Sequence, residues 1–302
     1  MRDYLKYYCD TYGIEPNDES VLLSLFDRIF ADRALKEDFL RAHDILLGEE
    51  ESKYSLFSPL LRRTEEITRA HRYTTDMLAY ICGGKALRDK YEKLGLDLGI
   101  WFDTMNDVAY KYRECLNVYG IPGVFTEGWH AMFFTPARYA LGRLQFEPWI
   151  WDRDIRYRDV KCGDPAVLIH IPSSGKPFDR EARIDSYRRA YRFFADSFPG
   201  GKITFCTHSW LLFGEHKNFL KGCPNILDFA NDFDAVVSEY DESRHDLWRI
   251  FNTASMNVED YPTDTALRRS YADYLKAGGV PGAGFGVFIM DGEDYFERRE
   301  KR

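Results

Sequence analysis

The sequence predicts an α+β chain, with a helical N-terminal domain over residues 1–130 and a mixed α/β domain over residues 131–302. Three observations carry this reading. Apolar residues before Gly120 recur in steps of three and four, the period of an amphipathic helix. From Gly142 onward the period drops to two, and short runs of strand composition alternate with helical stretches. The chain is 45% hydrophobic and 16% aromatic over 302 residues, enough to give each of two domains its own core.

The elements follow in chain order. Asn17 is placed to cap a helix whose Val21, Leu22, Leu25, Phe26 and Ile29 share one face. The segment Glu65 to Cys82 reads as helical, with Gly83-Gly84 as its expected C-cap. Between Leu98 and Leu116, the residues Leu98, Trp101, Met105, Val108, Tyr112 and Cys115 form one stripe, which "YGIPG" (Tyr119–Gly123) interrupts. In "GRLQFE", Gly142, Leu144 and Phe146 alternate with Arg143, Gln145 and Glu147, a half-buried strand with a polar face. "DIRYRD" (Asp154–Asp159) is a candidate partner strand. "AVLIHI" (Ala166–Ile171), "KITFCTH" (Lys202–His208), "DAVVSEY" (Asp234–Tyr240) and "AGFGVFIM" (Ala283–Met290) have strand composition. The helix after the first of these buries Ile184, Tyr187, Tyr191, Phe194 and Phe198 and leaves Arg188, Arg189 and Arg192 toward solvent.

Charge and cysteine usage narrow the function. Forty-nine acidic against 41 basic residues give a net charge of -8, so the chain lacks the general phosphate attraction that drives nucleic-acid binding. The mixed-sign tail Glu297–Arg302 reads as solvated. None of the six cysteines has CxxC spacing, which argues against a zinc knuckle or a thioredoxin-type site. No stretch approaches the roughly 18 apolar residues of a membrane helix, and "MRDYLKYYCDTYG" has no signal-peptide core. A cytoplasmic protein acting on a small-molecule substrate, with no metal, nucleic-acid or membrane partner, is expected. The sequence is silent on oligomeric state.

Seven phrases in order, "GRLQFEPW", "LIHIPSSG", "DSYRRAYRFF", "CTHSWLL", "NILDFANDF", "YPTDTALRRSYADYLKAGG" and "GAGFGVFIM", carry a family resemblance. The chain resembles bacterial acyltransferase-like proteins that join a helical N-acyltransferase N-terminal domain to a GNAT-like (Gcn5-related N-acetyltransferase-like) C-terminal domain. The resemblance covers most of residues 127–290 and, more loosely, the helical part before them. It implies a splayed central sheet, acyl-CoA or acetyl-CoA as donor substrate, and an amine acceptor attacking the thioester directly. The superfamily's Q/R-x-x-G-x-G/A donor signature is absent, which favours an alternative: a GNAT-shaped binding or regulatory protein without turnover.

The candidate residues sit at strand ends. Ser173, Ser174, Gly175 and Lys176 form a small-residue loop between a strand and a helix, the arrangement that presents backbone N–H groups to a phosphate. It is not a Walker A loop, and Pro177 is equally suited to a plain structural turn. The resemblance makes this loop the holder of the coenzyme A pyrophosphate. His208, Glu239 and His170, in that order, are candidate bases, and Tyr240 is the candidate acid. Each histidine alone is more simply a hydrogen-bonded core residue, and the acidic run through Asp241 and Glu242 to His245 is more simply a solvated strand end or, as an alternative, a metal site. "THSWL" lacks the G-x-S-x-G elbow of a serine hydrolase at Ser209. Gly282, Gly284 and Gly286 enter a strand with no helix after it, so they fit close packing of another element and not a dinucleotide fingerprint. Trp129, Trp149, Trp151 and Trp210 are candidates for a pocket lining or for interdomain core.

Overall fold

The computed structural model describes residues 1–50, 53–152, 155, 157–220 and 222–301. Six helices come first: α1 (Arg2–Tyr12), α2 (Pro16–Ala31), α3 (Arg33–Leu47), α4 (Lys53–Thr68), α5 (Arg72–Lys93) and α6 (Leu98–Tyr119). A 3-10 turn at His130–Phe133 leads to β1 (Tyr139–Leu141), β2 (Leu144–Ile150) and β3 (Pro165–His170). Then come α7 (Arg180–Phe194), β4 (Ile203–Ser209), the short helices α8 (His216–Phe219) and α9 (Pro224–Phe229), and β5 (Ala235–Tyr240). Two further helices, α10 (Leu247–Phe251) and α11 (Ala266–Lys276), precede β6 (Gly282–Met290) and α12 (Tyr295–Glu300). The chain divides into two units, Met1–Ala140 with Pro172–Ser174, and Leu141–Ile171 with Gly175–Arg302.

The helical unit keeps the expected α6 stripe, with Trp101, Met105, Val108, Tyr112 and Cys115 all buried and Gly120 ending the helix at φ 67°. One helix and two caps differ from expectation: the segment Glu65–Cys82 is not continuous, since α4 ends at Thr68 and α5 begins at Arg72. Asn17 lies inside the first turn of α2, which starts at Pro16, because proline suits the first helical position. Gly83 and Gly84 do not end a helix; α5 runs through them. A Cβ at Gly83 would stand 2.7 Å from the Phe134 ring, and one at Gly84 2.5 Å from the Tyr4 hydroxyl. These glycines are there for close packing, which outweighs their poor helix propensity.

The sheet order is β1-β2-β3-β4-β6-β5. β2 and β3 are antiparallel, β3 and β4 parallel, and β6 is antiparallel to both its neighbours. One face is packed by α7 and α12 through Phe146, Phe205, Phe288, Tyr187 and Phe296. On the other face Trp151 and Tyr157 pack with Ala166, Cys206, Phe285 and Val287. Because both faces are covered, Gln145 is buried although it alternates with Leu144 and Phe146. The candidate strand Asp154–Asp159 lies partly outside the described residues; its Tyr157 makes an isolated bridge to Val160.

The glycines of β6 admit a crossing segment, as their pattern predicts. A Cβ at Gly284 would meet the Leu212 carbonyl oxygen at 2.3 Å, and one at Gly286 the Leu212 and Phe233 side chains at 2.7 Å. A satellite core of Leu220, Leu247, Ile250, Phe251, Tyr261 and Tyr271 sits under α8, α10 and α11. The C-terminal segment is more ordered than its charge suggests. Arg298 pairs with Asp294 at 3.2 Å, and Arg299 donates to the Asp232 and Phe233 carbonyls at 2.6 and 2.7 Å.

Candidate functional site

The β3–β4 ladder has two rungs, Val167↔Phe205 and Leu168↔Cys206. Both strands continue beyond it, β3 to His170 and β4 to Ser209. At the parting point the Thr207 hydroxyl donates to the Ile169 carbonyl at 2.8 Å, replacing a backbone rung with a side-chain one. The central parallel pair therefore opens toward its C-terminal ends, where α/β sheets present ligand sites.

Side-chain alternation and register place the candidates. Directly paired residues point to the same face. His208 pairs with Phe285, and Glu239 with Ala283, so His208 and Glu239 share a face across β6. The His208 Nε2 and Glu239 Oε1 are 2.7 Å apart, with side chains 40% and 63% exposed. His170 lies on that same face, since Leu168 pairs with Cys206 and Gln145 with His170. Its Nε2 is 2.8 Å from Oε2 of Glu147, which sits on β2. This second pair is more buried, at 16% and 14% exposure.

Tyr240 follows Glu239 directly and so points to the opposite face. Its ring packs against Phe213 with centroids 5.4 Å apart. Ser209 is occupied as a cap, its Oγ accepting from the Leu211 N–H at 3.2 Å. The structure thus joins His208 with Glu239, sets His170 on the same face, and leaves Tyr240 elsewhere. Glu147 was visible in the sequence only as part of a polar strand face; its link to His170 needs the β2–β3 register.

The loop Ser173–Lys176 connects β3 to α7 through Gly175, whose φ of 70° belongs to the left-handed region that favours glycine. A Cβ there would meet nothing within 4 Å, so the requirement is conformational. The Ser174 N–H donates to the Pro172 carbonyl at 2.9 Å. Asp179 caps α7 by accepting from the Ala182 N–H at 2.9 Å, which puts a carboxylate at that helix start. Arg143 adds a cation: its Nε donates to the Pro177 carbonyl at 3.1 Å, and its guanidinium lies 5.1 Å from the Phe178 ring centre. Beneath the loop, fully buried Arg183 donates to Asp232 at 2.6 and 3.1 Å, to Asp228 at 2.7 Å and to the Phe178 carbonyl at 3.1 Å. Burial pushes the Asp232 carboxyl up, and Arg183 opposes that shift.

The Lys176 and Arg143 side chains place two cationic residues in and beside the loop that follows β3. Among the described residues no group of His, Cys, Asp and Glu is arranged to hold a metal ion. None of the helices among them is long and apolar enough to cross a membrane. Of the four candidate tryptophans, Trp151 is core, Trp149 packs on it at 6.2 Å, and Trp210 packs on His216 and Tyr271. Trp129, in the helical unit, donates to Asp107 at 2.8 Å.

An open mixed sheet whose central parallel pair parts beside a strand–loop–helix defines a GNAT-like protein. Comparison with known families agrees. Residues 3–135 match the model of the N-acyltransferase N-terminal domain, and residues 139–288 that of the GNAT-like C-terminal domain. The chain belongs to the acyltransferase-like family that combines these two domains. It is similar in structure to an acyltransferase solved with decanoyl-CoA, at 20% identity and a TM-score of 0.64, over 93% of this chain and 82% of that one. An acyltransferase solved with CoA and 10C-teicoplanin is similar at 18% identity and a TM-score of 0.63, over 94% and 98%. A third, with decanoyl-CoA and teicoplanin, gives 20% and 0.61, over 94% and 99%. At these identities the likeness establishes the fold. No curated protein matches the chain.

Proposed function

We propose that the protein is an acyl-CoA-dependent N-acyltransferase, moving an acyl group from the thioester to an amine by direct attack. The observation that carries this is the His208–Glu239 pair at the open end of the parting strands. With Nε2 hydrogen-bonded to the carboxylate, Nδ1 carries the lone pair that accepts a proton from the attacking amine. In this reading His208 is the base and Glu239 holds it. The Ser173–Lys176 loop receives the pyrophosphate of the donor. Similar structures that hold decanoyl-CoA and CoA support acyl-CoA as donor.

A second reading, a GNAT-shaped binding protein without turnover, is favoured by the absent Q/R-x-x-G-x-G/A signature and by the Asp179 carboxylate at the helix start. One experiment separates the two. The protein is incubated with acetyl-, octanoyl- and decanoyl-CoA and a panel of amino sugars, amino acids and diamines, with free thiol and product mass followed. Amine-dependent thiol release is expected. Calorimetric binding of CoA without release under any pairing selects the non-catalytic reading. No binding at millimolar CoA also selects the second reading, in which the donor loop is lost.

A further inference from the structure

We propose that His170, held by Glu147, is the general acid that protonates the departing CoA thiolate, acting across the strand gap from His208. This rests on the acyl-transfer reading and assigns its second proton. Three observations carry it.

The first is placement. Extending the β3–β4 register from Leu168↔Cys206 by two residues sets His170 level with His208, and both project from one face. A thioester lying in the gap has an imidazole on either side. The second is orientation. In the order β2-β3-β4-β6-β5, Glu147 on β2 and Glu239 on β5 both lie on the outer side of their histidine relative to the gap. Each ring is therefore held from outside by Nε2. The third is exclusion. Tyr240, the acid expected from the sequence, points to the opposite face and packs on Phe213.

The chemistry balances with two imidazoles. The amine nitrogen forms the C–N bond as its proton passes to neutral His208. The C–S bond breaks, and its electron pair leaves on sulfur. The thiolate takes a proton from the His170 imidazolium, giving CoA–SH, the amide and neutral His170. Proton exchange with solvent resets both rings. An alkyl thiol near ~8.5 is a stronger base than an imidazole near ~6.5, so this transfer is downhill. The carboxylate of Glu147, 2.8 Å away, holds the ring in place for the transfer.

Leaving-group dependence tests the assignment, because an acid acting on sulfur is dispensable when the thiol is itself a good leaving group. His170→Gln and Glu147→Gln are compared with the native protein and with His208→Ala, using decanoyl-CoA and the decanoyl ester of 4-nitrothiophenol. His170→Gln should lower kcat with decanoyl-CoA about 10–100-fold, yet lower turnover of the aryl thioester less than about threefold. Glu147→Gln should show the same pattern at smaller size, since Glu147 is a positioning residue. His208→Ala should impair both donors alike. CoA affinity by calorimetry should stay within about twofold of native in both variants, because the acid acts only in the transition state.

Equal losses on both donors, or no loss on either, overturn the proposal while leaving the acyl-transfer reading intact. So does loss of CoA affinity in a His170→Gln protein with native circular dichroism, which makes His170 a binding residue. If His170→Gln does not fold, Glu147→Gln decides by the same comparison. Native protein that releases no thiol with any amine overturns the acyl-transfer reading and this proposal with it.

Discussion

Glu239→Gln set against His208→Ala distinguishes a base from the residue that holds it. The pair is 2.7 Å apart, but the side chains are 40% and 63% exposed, so water screens much of their attraction. Exposed ion pairs are worth about 0.2–1 kcal/mol, and a pair contribution of that size is at most a fivefold effect. Removing a general base costs about 10²–10⁴ in rate. If His208 is the base, Glu239→Gln should therefore lower kcat by no more than about fivefold, and His208→Ala at least about 10²-fold. Because the carboxylate acts only through the ring, the double variant should be no slower than His208→Ala alone. The assay is thiol release at saturating acyl-CoA with one fixed amine. A Glu239→Gln loss as large as that of His208→Ala would refute the reasoning and make Glu239 the base itself. A change confined to the KM of the donor would make both of them binding residues.

Lys176→Ala should weaken CoA binding by about 1.5–3 kcal/mol, the size of a charge-assisted phosphate contact; equal calorimetric affinity would place the pyrophosphate elsewhere. Burial pushes the Asp76 carboxyl up to about 7, opposed by the Tyr54 hydroxyl at 2.9 Å and by the charge of Arg72. Its proton is favoured by the folded state, so native stability is fullest below the unfolded carboxylate range and is lost as pH rises toward 7. Asp76→Asn, which keeps an acceptor for Tyr54, should gain on native protein by on the order of 2–4 kcal/mol between pH 4 and pH 8 in urea unfolding; parallel pH curves would contradict this. Gly284→Ala forces a Cβ against the Leu212 backbone and should cost about 1–3 kcal/mol or more, read as a lowered melting temperature. Arg183→Leu strips the cationic partner from a fully buried Asp232, leaving it the Tyr187 hydroxyl, and should cost about 3–5 kcal/mol, whereas Arg188→Leu on the exposed side of α7 should cost under about 1.

Periodicity made the elements legible because it is a local property. The α6 stripe, the β2 alternation and the strand runs through β6 can each be read within a dozen residues, and each element formed where its pattern lay. What failed was whatever depended on a distant neighbour. Gly83-Gly84 has the composition of a cap, and only Tyr4, Met105 and Phe134 pressing on it explain a helix that continues. Arg183 resembles the other arginines of its helix, and only Asp228 and Asp232, some forty-five residues on, single it out as buried. The C-terminal charges looked solvated because their acceptors, the Asp232 and Phe233 carbonyls, lie more than sixty residues away.

The same division applies to the site. His170 and His208 were recognisable as strand-end histidines, but a histidine becomes chemically specific when one nitrogen is committed to a partner, and both partners come from other strands. Glu147 is twenty-three residues before His170, and Glu239 is thirty-one after His208. The register also explains why Glu239 can reach its ring at all. It must cross β6, and the β6 residue directly beside it on that face is the small Ala283, while Gly284 turns to the opposite face, where the crossing Leu212 backbone excludes a side chain. The small residues of β6 thus serve two ends: one lets a loop pack on the sheet, and the other leaves a carboxylate room to span a strand. A glycine-alanine-glycine run that reads as a packing motif in sequence is, in three dimensions, two-sided: its glycines face Phe213 and Leu212, and its alanine lies on the face where the outer strand's carboxylate reaches the histidine.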